Sequence, residues 1–221
     1  MIDFASVTGV QLPEGSANAL AIGSAEVWSA EKWDLEWTYN GSLPPSSVWY
    51  YDGPIYNVAS VGAINFNSPD YNDADTMARM MLQNMNATSD QSVFEVEFNV
   101  DNTDYEFSIR VGTSNSDSHY PSCIYCGIRG VSAANKAGIY VETRASLSSP
   151  LTPAAEIEIG KWHKLRLSLD TKNSRHRVYL DGRLISEQTN NTVYDIEISG
   201  PSIIAWDASA YVRALRYRKS L

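Results

Sequence analysis

Two carboxylates on one predicted strand have the best spacing for acid–base chemistry. Glu95 and Glu97 alternate with Val96 and Phe98, the period-two pattern of a strand with one buried face. Residues two apart on a strand share a face and are separated by roughly 6.6 Å of backbone rise. This is near the carboxyl spacing used in glycoside hydrolysis. The polar face of a one-sided sheet requires the same alternation, so both interpretations stay open.

Histidine is the other candidate for proton transfer, and the chain has three histidines. His163 follows Trp162 where a strand is predicted to begin, and His176 lies near a turn-prone stretch. His119 stands in the polar loop 114–121 and is the candidate that we retain. The sequence has no G-x-S-x-G elbow, phosphate-binding loop or metal-spaced histidine cluster. We therefore expect a binding protein rather than an enzyme.

The two cysteines of the chain, Cys123 and Cys126, form a lone C-x-x-C pair. A structural zinc site of this kind needs a second such pair. Residues three apart on a predicted strand also point to opposite faces, which disfavours a shared ligand. We expect structural free thiols at both positions.

Short strands are predicted to position these groups. Leu165, Leu167 and Leu169 alternate with polar residues, and Asp181-Gly182 joins two apolar segments. An Asp-Gly pair in this setting is a strong hairpin signal because both turn positions need a positive φ. The segment Met80–Leu82 fits a helix or a core strand, and we favour the strand. Frequent turn signals, without a long amphipathic helix, predict an all-β sandwich or barrel.

Composition and charge exclude several classes of partner. The net charge of −9 argues against nucleic acid and anionic membranes as partners. No apolar run is long enough to span a bilayer, so we expect no membrane insertion. The chain has 13 tyrosines but 5 phenylalanines, and rings with a polar edge suit surfaces that are both apolar and wet. Basic residues are scarce in residues 1–100, which indicates two modules or two faces.

The first thirty residues differ from the rest of the chain. Two short apolar segments, Val7–Leu12 and Ala19–Ile22, are separated by the turn signal Pro13–Gly15. This pattern predicts a β-hairpin-like module over residues 1–30, too small to hold a core alone. The run Val7–Gly15 resembles a short module found at the heads of bacteriophage and prophage tail proteins.

The stretch 160–187 carries a second resemblance. Trp162 opens a strand of alternating leucines, and the hairpin Val178–Gly182 follows it. This pattern resembles the concanavalin A-like and laminin-G-like superfamily, and residues 211–217 are similar to its final strand. We assign residues 31–221 to this domain. The resemblance implies an all-β fold, an antiparallel two-sheet β-sandwich of the jelly-roll kind.

That superfamily includes lectins, adhesion modules, glycoside hydrolases and polysaccharide lyases. Its glucanases carry Glu-x-Asp-x-x-Glu on one strand, whereas the run from Glu95 to Val100 lacks one of the two essential acids. Its lyases use a His, a Tyr and an Arg, and no histidine here stands in a recognisable lyase motif. The resemblance therefore implies a lectin-like, non-catalytic carbohydrate-binding domain.

Lectin sites on this fold stack an aromatic ring on a sugar and bind its hydroxyls through loop Asp and Asn side chains. Consecutive aromatics also commonly anchor a loop in the core, so each stretch has two interpretations. Two stretches have this chemistry, and their members are our candidate ligand-binding residues: Trp49, Tyr50, Tyr51 and Asp52, and Asn115, Asp117, His119 and Tyr120.

Calcium is the one cofactor that the resemblance allows, because some members of the superfamily hold Ca²⁺ with loop oxygens. The glycine and glutamate of an EF-hand loop are missing, and we expect no other cofactor. The candidate ligands are four oxygen-bearing residues close together in the chain: Asp70, Asn72, Asp73 and Asp75.

Together the two resemblances predict a phage or prophage tail or surface-recognition protein. Its expected partners are a host or bacterial surface glycan and other phage structural proteins, in a homo-oligomer that is commonly a trimer. The alternatives are a structural virion or protein-interaction domain without sugar affinity, and a jelly-roll glycoside hydrolase or polysaccharide lyase. The N-terminus has no secretory signal, so we expect cytosolic synthesis and a virion or extracellular location.

Overall fold

The chain divides into two compact units, Met1–Trp33 and Asp34–Leu221. The boundary expected from the sequence lies between residues 30 and 31. Within the described residues no helix is long and apolar enough to cross a membrane. The computed structural model describes residues 10–12, 15–17, 19–22, 25–29, 33–69, 77–82, 91–111, 124–131, 133, 135–143, 152–170, 175–188 and 201–220.

The described residues of the first unit form two short antiparallel hairpins. One pairs β1 with β2, and the other pairs β3 with β4. The two pairs are not joined by sheet hydrogen bonds to each other in the described residues. The strand bounds are β1 Val10–Leu12, β2 Gly15–Ala17, β3 Ala19–Ile22 and β4 Ala25–Ser29.

The described residues of the second unit form thirteen strands in one hydrogen-bonded network, and the pairings between them are antiparallel. The strands are β5 Leu35–Thr38, β6 Trp49–Asp52, β7 Ile55–Val58, β8 Ala63–Ser68, β9 Ala78–Leu82, β10 Gln91–Val111, β11 Ile124–Gly130, β12 Lys136–Thr143, β13 Ala155–Glu158, β14 Trp162–Asp170, β15 Arg175–Leu180, β16 Arg183–Gln188 and β17 Ser202–Ser220.

A long ribbon of β10 and β17 organises this unit. The two strands have 21 and 19 residues and pair along most of their length, with three register shifts between Glu97 and Glu106. Phe98 and Phe107 would be about 30 Å apart along a straight strand, yet their ring centroids are 5.9 Å apart. The ribbon therefore bends sharply in this region, and both strands pass from one sheet layer to the other.

The bend creates two facing layers. Layer A contains the first half of β10 and the last half of β17, with β14, β15 and β16 on one side and β5, β8 and β7 on the other. Layer B contains the remaining halves, with β11, β12 and β13 on one side and β9 and β6 on the other. The Trp49 ring of layer B lies 6.4 Å from the Phe94 ring of layer A. The predicted two-sheet β-sandwich is confirmed.

Alternating residues build the core between the layers. Leu165, Leu167 and Leu169 of β14 are buried, as their spacing predicts, while Lys164 and Arg166 point away from the core. Each fully buried leucine contributes roughly 1.5–3 kcal/mol relative to an exposed one. On the opposite layer the strand interpretation of Met80–Leu82 is confirmed, since this segment ends β9 and alternates between buried and half-buried residues.

The Asp181-Gly182 turn joins β15 to β16, and both residues have the predicted positive φ, 49° and 81°. The Asp181 carboxylate accepts a hydrogen bond of 2.8 Å from the Lys164 backbone N–H and lies 2.9 Å from His163 Nδ1. These contacts fix the turn against the start of β14. His163 therefore belongs to a contact that closes the hairpin.

Candidate functional site

The outward surface of layer B carries a buried polar cluster. Phe107 and Ile109 of β10 point into the core, so the residues between and beside them point outward. The register places Ser108 opposite Gly127 and Arg110 opposite Tyr125 of β11. We call this surface the layer B face and define it by Glu106, Ser108 and Arg110 of β10 and by Tyr125, Gly127 and Arg129 of β11.

Glu106 is the centre of the cluster and is only 4% exposed. Its carboxylate accepts a hydrogen bond from the Tyr125 hydroxyl and one of 2.7 Å from Arg129 Nε. A terminal nitrogen of Arg110 lies 3.8 Å from the same carboxylate. A buried charge is costly unless it is paired and hydrogen-bonded, and these three groups supply both forms of compensation.

Gly127 makes room for this arrangement. A Cβ atom at residue 127 would lie 2.8 Å from Glu106 Oε2 and 2.9 Å from Tyr125 Cε1. Both distances are shorter than real Cβ contacts allow, so any larger residue would displace the carboxylate or the ring. The absence of a side chain at Gly127 therefore lets Tyr125 and Glu106 meet across it.

Two arginines of the layer B face lie against aromatic rings. The guanidinium carbon of Arg110 is 4.6 Å from the centre of the Tyr125 ring, and that of Arg129 is 5.4 Å from the centre of the Tyr140 ring on β12. Arg110 Nε also donates a hydrogen bond of 3.0 Å to Ser108 Oγ. Cation–π contacts of this kind are strengthened where water is excluded, and they hold both guanidiniums in fixed positions on this face.

The candidate stretch on β6 divides between the core and the layer B face. Trp49 is 3% exposed and packs in the core, so its ring presents no face to a ligand. The Tyr51 hydroxyl donates to the carbonyl oxygen of Pro44, and burial raises the pKa of Tyr51 to about 12. Tyr50 is 42% exposed, and Asp52 is exposed and pairs with Arg79 at 2.8 Å. Of these four residues, Tyr50 and Asp52 remain candidates for ligand contact.

The sheet register connects that pair to the cluster. Asp52 lies opposite Arg79 on β9, Arg79 lies opposite Ile204 on β17, and Ile204 lies opposite Ser108. Three strand spacings amount to about 14 Å. The Asp52–Arg79 pair and the Glu106 cluster are therefore separate parts of one continuous surface.

The carboxylates Glu95 and Glu97 lie on the outward surface of layer A, on the other side of the core from Glu106. Glu95 is 2.9 Å from an Arg216 nitrogen and 3.7 Å from Lys164 Nζ, and Glu97 is 2.5 Å from an Arg213 nitrogen. Each carboxylate is thus part of a cross-strand ion pair. This arrangement supports the polar-face interpretation of the alternation.

Several predicted residues lie outside the described residues: Asn115, Asp117, His119 and Tyr120, the calcium candidates Asp70, Asn72, Asp73 and Asp75, and Cys123. Within the described part of the chain, no group of three or more His, Cys, Asp or Glu side chains is placed to hold a metal ion. Cys126 is a buried free thiol on β11, and burial raises its pKa.

Four residues of the layer B face are not among the candidates predicted from the sequence: Glu106, Arg110, Tyr125 and Arg129. A signal was present in the alternation, which places a carboxylate and an arginine outward on β10 and a tyrosine, a glycine and an arginine outward on β11. Their meeting depends on the register between the two strands. That register is set by long-range pairing, and neither strand pattern defines it.

No protein-family model matches the chain, and no curated protein is detectably similar to it. Solved structures do share its fold. The potassium-bound Emp46p carbohydrate recognition domain is 12% identical, with 86% of this chain and 100% of that chain covered and a TM-score of 0.60. The Emp47p carbohydrate recognition domain is 10% identical, with 84% and 95% covered and a TM-score of 0.60.

A sialidase is also similar, at 11% identity and a TM-score of 0.57, with 79% of this chain and 17% of that chain covered. The Emp46p domain has a metal-free form as well, which is 14% identical with a TM-score of 0.59. At these identities the likeness shows the fold. The chain has the antiparallel two-sheet β-sandwich that its sequence predicts.

Proposed function

We propose that the unit Asp34–Leu221 is a non-catalytic carbohydrate-binding domain and that the layer B face is its binding surface. The main observation that supports this proposal is the position of Glu106. Its buried carboxylate lies outside the core and contacts a tyrosine and two arginines. Buried ionisable groups with specific charge partners are candidates for functional sites. Glu95 on layer A is buried as well, but its partners are charged side chains and not a tyrosine placed over a glycine.

The chemistry of this face suits a sugar. Sugar hydroxyls both donate and accept hydrogen bonds, so they match a surface that offers carboxylate acceptors beside guanidinium donors. A guanidinium carries five N–H donors and can hold Glu106 and a ligand oxygen together. The rings of Tyr50 and Tyr140 lie on the same surface and supply apolar contact for the C–H faces of a sugar.

The structural neighbours support the same proposal. Two of them, from Emp46p and Emp47p, are named carbohydrate recognition domains and share the sandwich over most of this chain. Low sequence identity limits that support to the fold, since one fold hosts many functions. The geometry around Glu106 therefore carries the functional argument.

The test is binding of the purified chain to an array that includes bacterial surface polysaccharides, with and without calcium. Arg129→Gln keeps a polar side chain but removes the charge-assisted contact, so we expect glycan affinity to fall about 10- to 100-fold. The matched control is Arg177→Gln on β15, where the arginine pairs with Glu187 at 3.2 Å. Equal binding by wild type and Arg129→Gln, or no glycan bound at all, would overturn the proposal.

We propose that Ca²⁺ supports glycan binding by this domain. The proposal rests on the resemblance to a superfamily that includes calcium-binding members and on four candidate ligands: Asp70, Asn72, Asp73 and Asp75. Oxygen-rich side chains of this kind are the ligands that Ca²⁺ prefers. Glycan binding that is lost with a chelator and restored by Ca²⁺ would support it. Binding and thermal stability that do not respond to either would contradict it.

Cleavage of a polysaccharide is a second candidate function, favoured by one contact. The Tyr125 hydroxyl donates to the Glu106 carboxylate beside Arg129, and a tyrosine in this setting can transfer a proton in general acid–base catalysis. Incubation with uronate polysaccharides and β-glucans, followed by ultraviolet absorbance and reducing-end assays, tests for it. Product formed by wild type and abolished in Tyr125→Phe would establish an enzyme.

We also propose that the domain works on a phage or prophage tail, in a symmetric oligomer located on the virion. This rests on the resemblance of Val7–Gly15 to tail-protein modules. Native mass spectrometry measures the oligomer, and mass spectrometry of purified phage particles measures the location. A monomer absent from particles would remove this setting and leave glycan binding by the layer B face to be judged separately.

A further inference from the structure

A regular row of side chains crosses the outward surface of layer A, away from the Glu106 cluster. Tyr56 of β7 lies opposite Asn65 of β8, Asn65 opposite Tyr211 of β17, Tyr211 opposite Asn99 of β10, and Asn99 opposite Trp162 of β14. Directly opposed residues of antiparallel strands point to the same face. The row therefore alternates ring, amide, ring, amide, ring across five strands, and we call it the aromatic row.

The rings of the aromatic row are at the surface. Tyr56 is 53% exposed, the largest exposure among the large apolar side chains of the described residues, and Tyr211 and Trp162 are half-buried. Tyrosine and tryptophan combine a large apolar area with a polar edge, a combination typical of binding surfaces.

The side chains of Asn65 and Asn99 lie between the rings of the aromatic row and are hydrogen-bonded to the sheet. Asn65 Nδ2 donates to Ser209 Oγ at 3.1 Å and to the Ala210 carbonyl at 3.2 Å, and Asn99 Nδ2 donates to the Gly160 carbonyl at 3.1 Å. Both side chains are therefore held against the sheet. They are shorter than the aromatic side chains on either side, so the three rings protrude further from the sheet than the two amides do.

The Trp162 end of the row has a fixed polar group. The guanidinium carbon of Arg213 is 4.2 Å from the centre of the Trp162 ring, and the same side chain pairs with Glu97 at 2.5 Å. Arg213 occupies the extra position of a register shift, where Phe98 pairs with Val212 and Glu97 with Ala214. The irregularity thus places a hydrogen-bond donor at the end of the aromatic row.

We propose that the aromatic row is a second glycan-binding site, specific for an extended β-1,4-linked chain that runs across the strands. Successive rings stand on every second strand, about 9.6 Å apart, and the whole row spans about 19 Å. In an extended β-1,4-linked chain, every second sugar presents the same face to one side. The Tyr56 and Tyr211 rings at this interval therefore match alternate sugars, because the C–H groups of a sugar face pack on the electron-rich face of a ring. At the Trp162 end, the Arg213 guanidinium that covers the ring offers N–H donors to sugar hydroxyls.

The site is independent of the layer B face. Its residues lie in layer A, and the two surfaces are separated by the hydrophobic core. It also differs in chemistry, since the layer B face is a compact cluster of charges whereas the aromatic row is long and mostly uncharged. A polymer-binding site and a compact site on one domain are expected to select different ligands.

The test is native affinity electrophoresis of the full chain in gels containing hydroxyethylcellulose, soluble xylan or glycol chitin. We expect retardation by at least one of these polymers and about 3- to 10-fold weaker binding for Tyr56→Ala. Tyr56→Ala combined with Tyr211→Ala should weaken binding further, since the two rings are separate contacts. Tyr56→Phe keeps the ring and should bind as wild type does.

Three controls make the result decisive. Tyr105→Ala removes a tyrosine of similar exposure, 38%, that packs on Trp206 outside the row, and should bind the polymer normally. Arg129→Gln should leave polymer binding intact even if array binding is lost, which separates the two sites. Affinity should rise with oligosaccharide length until the chain covers the row. Retardation by none of the three polymers, or equal retardation of wild type and Tyr56→Ala, would overturn the proposal.

Discussion

Two carboxylates on one strand show how differently the two layers use the same residue types. Glu95 and Glu106 both belong to β10, both are buried on an outward surface, and both are held by arginine. On layer A the partners of Glu95 are charged side chains, and Arg216 continues the row of charges to Glu36 at 2.6 Å. On layer B the partners of Glu106 include a tyrosine whose ring is itself covered by Arg110.

The difference lies in what surrounds each ion pair. The cross-strand row of charges on layer A can tolerate the loss of Glu95, because Arg216 still pairs with Glu36. On layer B, by contrast, the Glu106 carboxylate accepts hydrogen bonds from both the Tyr125 hydroxyl and Arg129, in the space that Gly127 leaves open. Removing it leaves those donors without their common partner, so the two sites should respond differently to the same substitution.

The largest expected effect compares Glu106→Gln with Glu95→Gln. Glu106→Gln breaks a buried network and should lower the free energy of unfolding by about 3 kcal/mol. Glu95→Gln should cost about 1 kcal/mol, since Arg216 and Lys164 reach solvent and Arg216 keeps Glu36. Urea unfolding followed by tryptophan fluorescence measures both. Equal losses would show that the two carboxylates are held in the same way.

Gly127→Ala should have the next largest effect. The added methyl group would lie 2.8 Å from Glu106 Oε2, so the carboxylate or the Tyr125 ring must move. Overpacking of this kind costs about 1–3 kcal/mol, and we expect the loss of stability to be accompanied by weaker glycan binding. A variant as stable as wild type, with unchanged binding, would contradict the role of Gly127 in shaping the layer B face.

The fold could be predicted from the sequence because short-range patterns define its strands and turns. The leucines of β14 alternate with polar residues, and Asp181-Gly182 occupies a turn that needs two positive φ angles. Each of these signals acts over a few residues. The bend of the β10–β17 ribbon was not predicted, because it depends on pairing between segments that are far apart in the chain.

The candidate site could be predicted only in part from the sequence, because it too depends on pairing between distant segments. In the run from Trp49 to Asp52, alternation sends neighbouring aromatics to opposite sides, so that Trp49 lies in the core and Tyr50 at the surface. Composition alone does not distinguish them. Glu106 and Arg129 are 23 residues apart in sequence and meet only because β10 pairs with β11 in one register. Strand register is the information that the sequence pattern lacks.

Layer A should also show a pH response, at a buried histidine. His176 is 5% exposed on β15, and burial lowers its pKa from the ordinary value of 6.5. In the unfolded chain, the His176 side chain is protonated as the pH falls through its ordinary pKa of 6.5. In the folded chain, the same side chain is protonated only at a lower pH. Stability is therefore unaffected well above that pH and falls as the pH drops through the window below it.

His176→Gln should flatten that decline. Thermal unfolding measured from about pH 7.5 to about pH 5 should show a steeper loss of Tm for wild type than for the variant. The two curves should run parallel above the window, which provides an internal control. Identical slopes throughout would show that protonation of His176 does not oppose folding.

The smallest expected effect belongs to the exposed part of the layer A surface. Glu97→Gln removes the charge of a pair whose Arg213 side chain is 41% exposed, so it should cost less than about 1 kcal/mol and the cost should shrink in salt. Urea unfolding at low and high ionic strength measures it, with Glu106→Gln as the buried reference whose cost should persist in salt. A salt-resistant loss at Glu97 as large as that at Glu106 would remove the distinction between the layers, because it would make both surfaces buried networks.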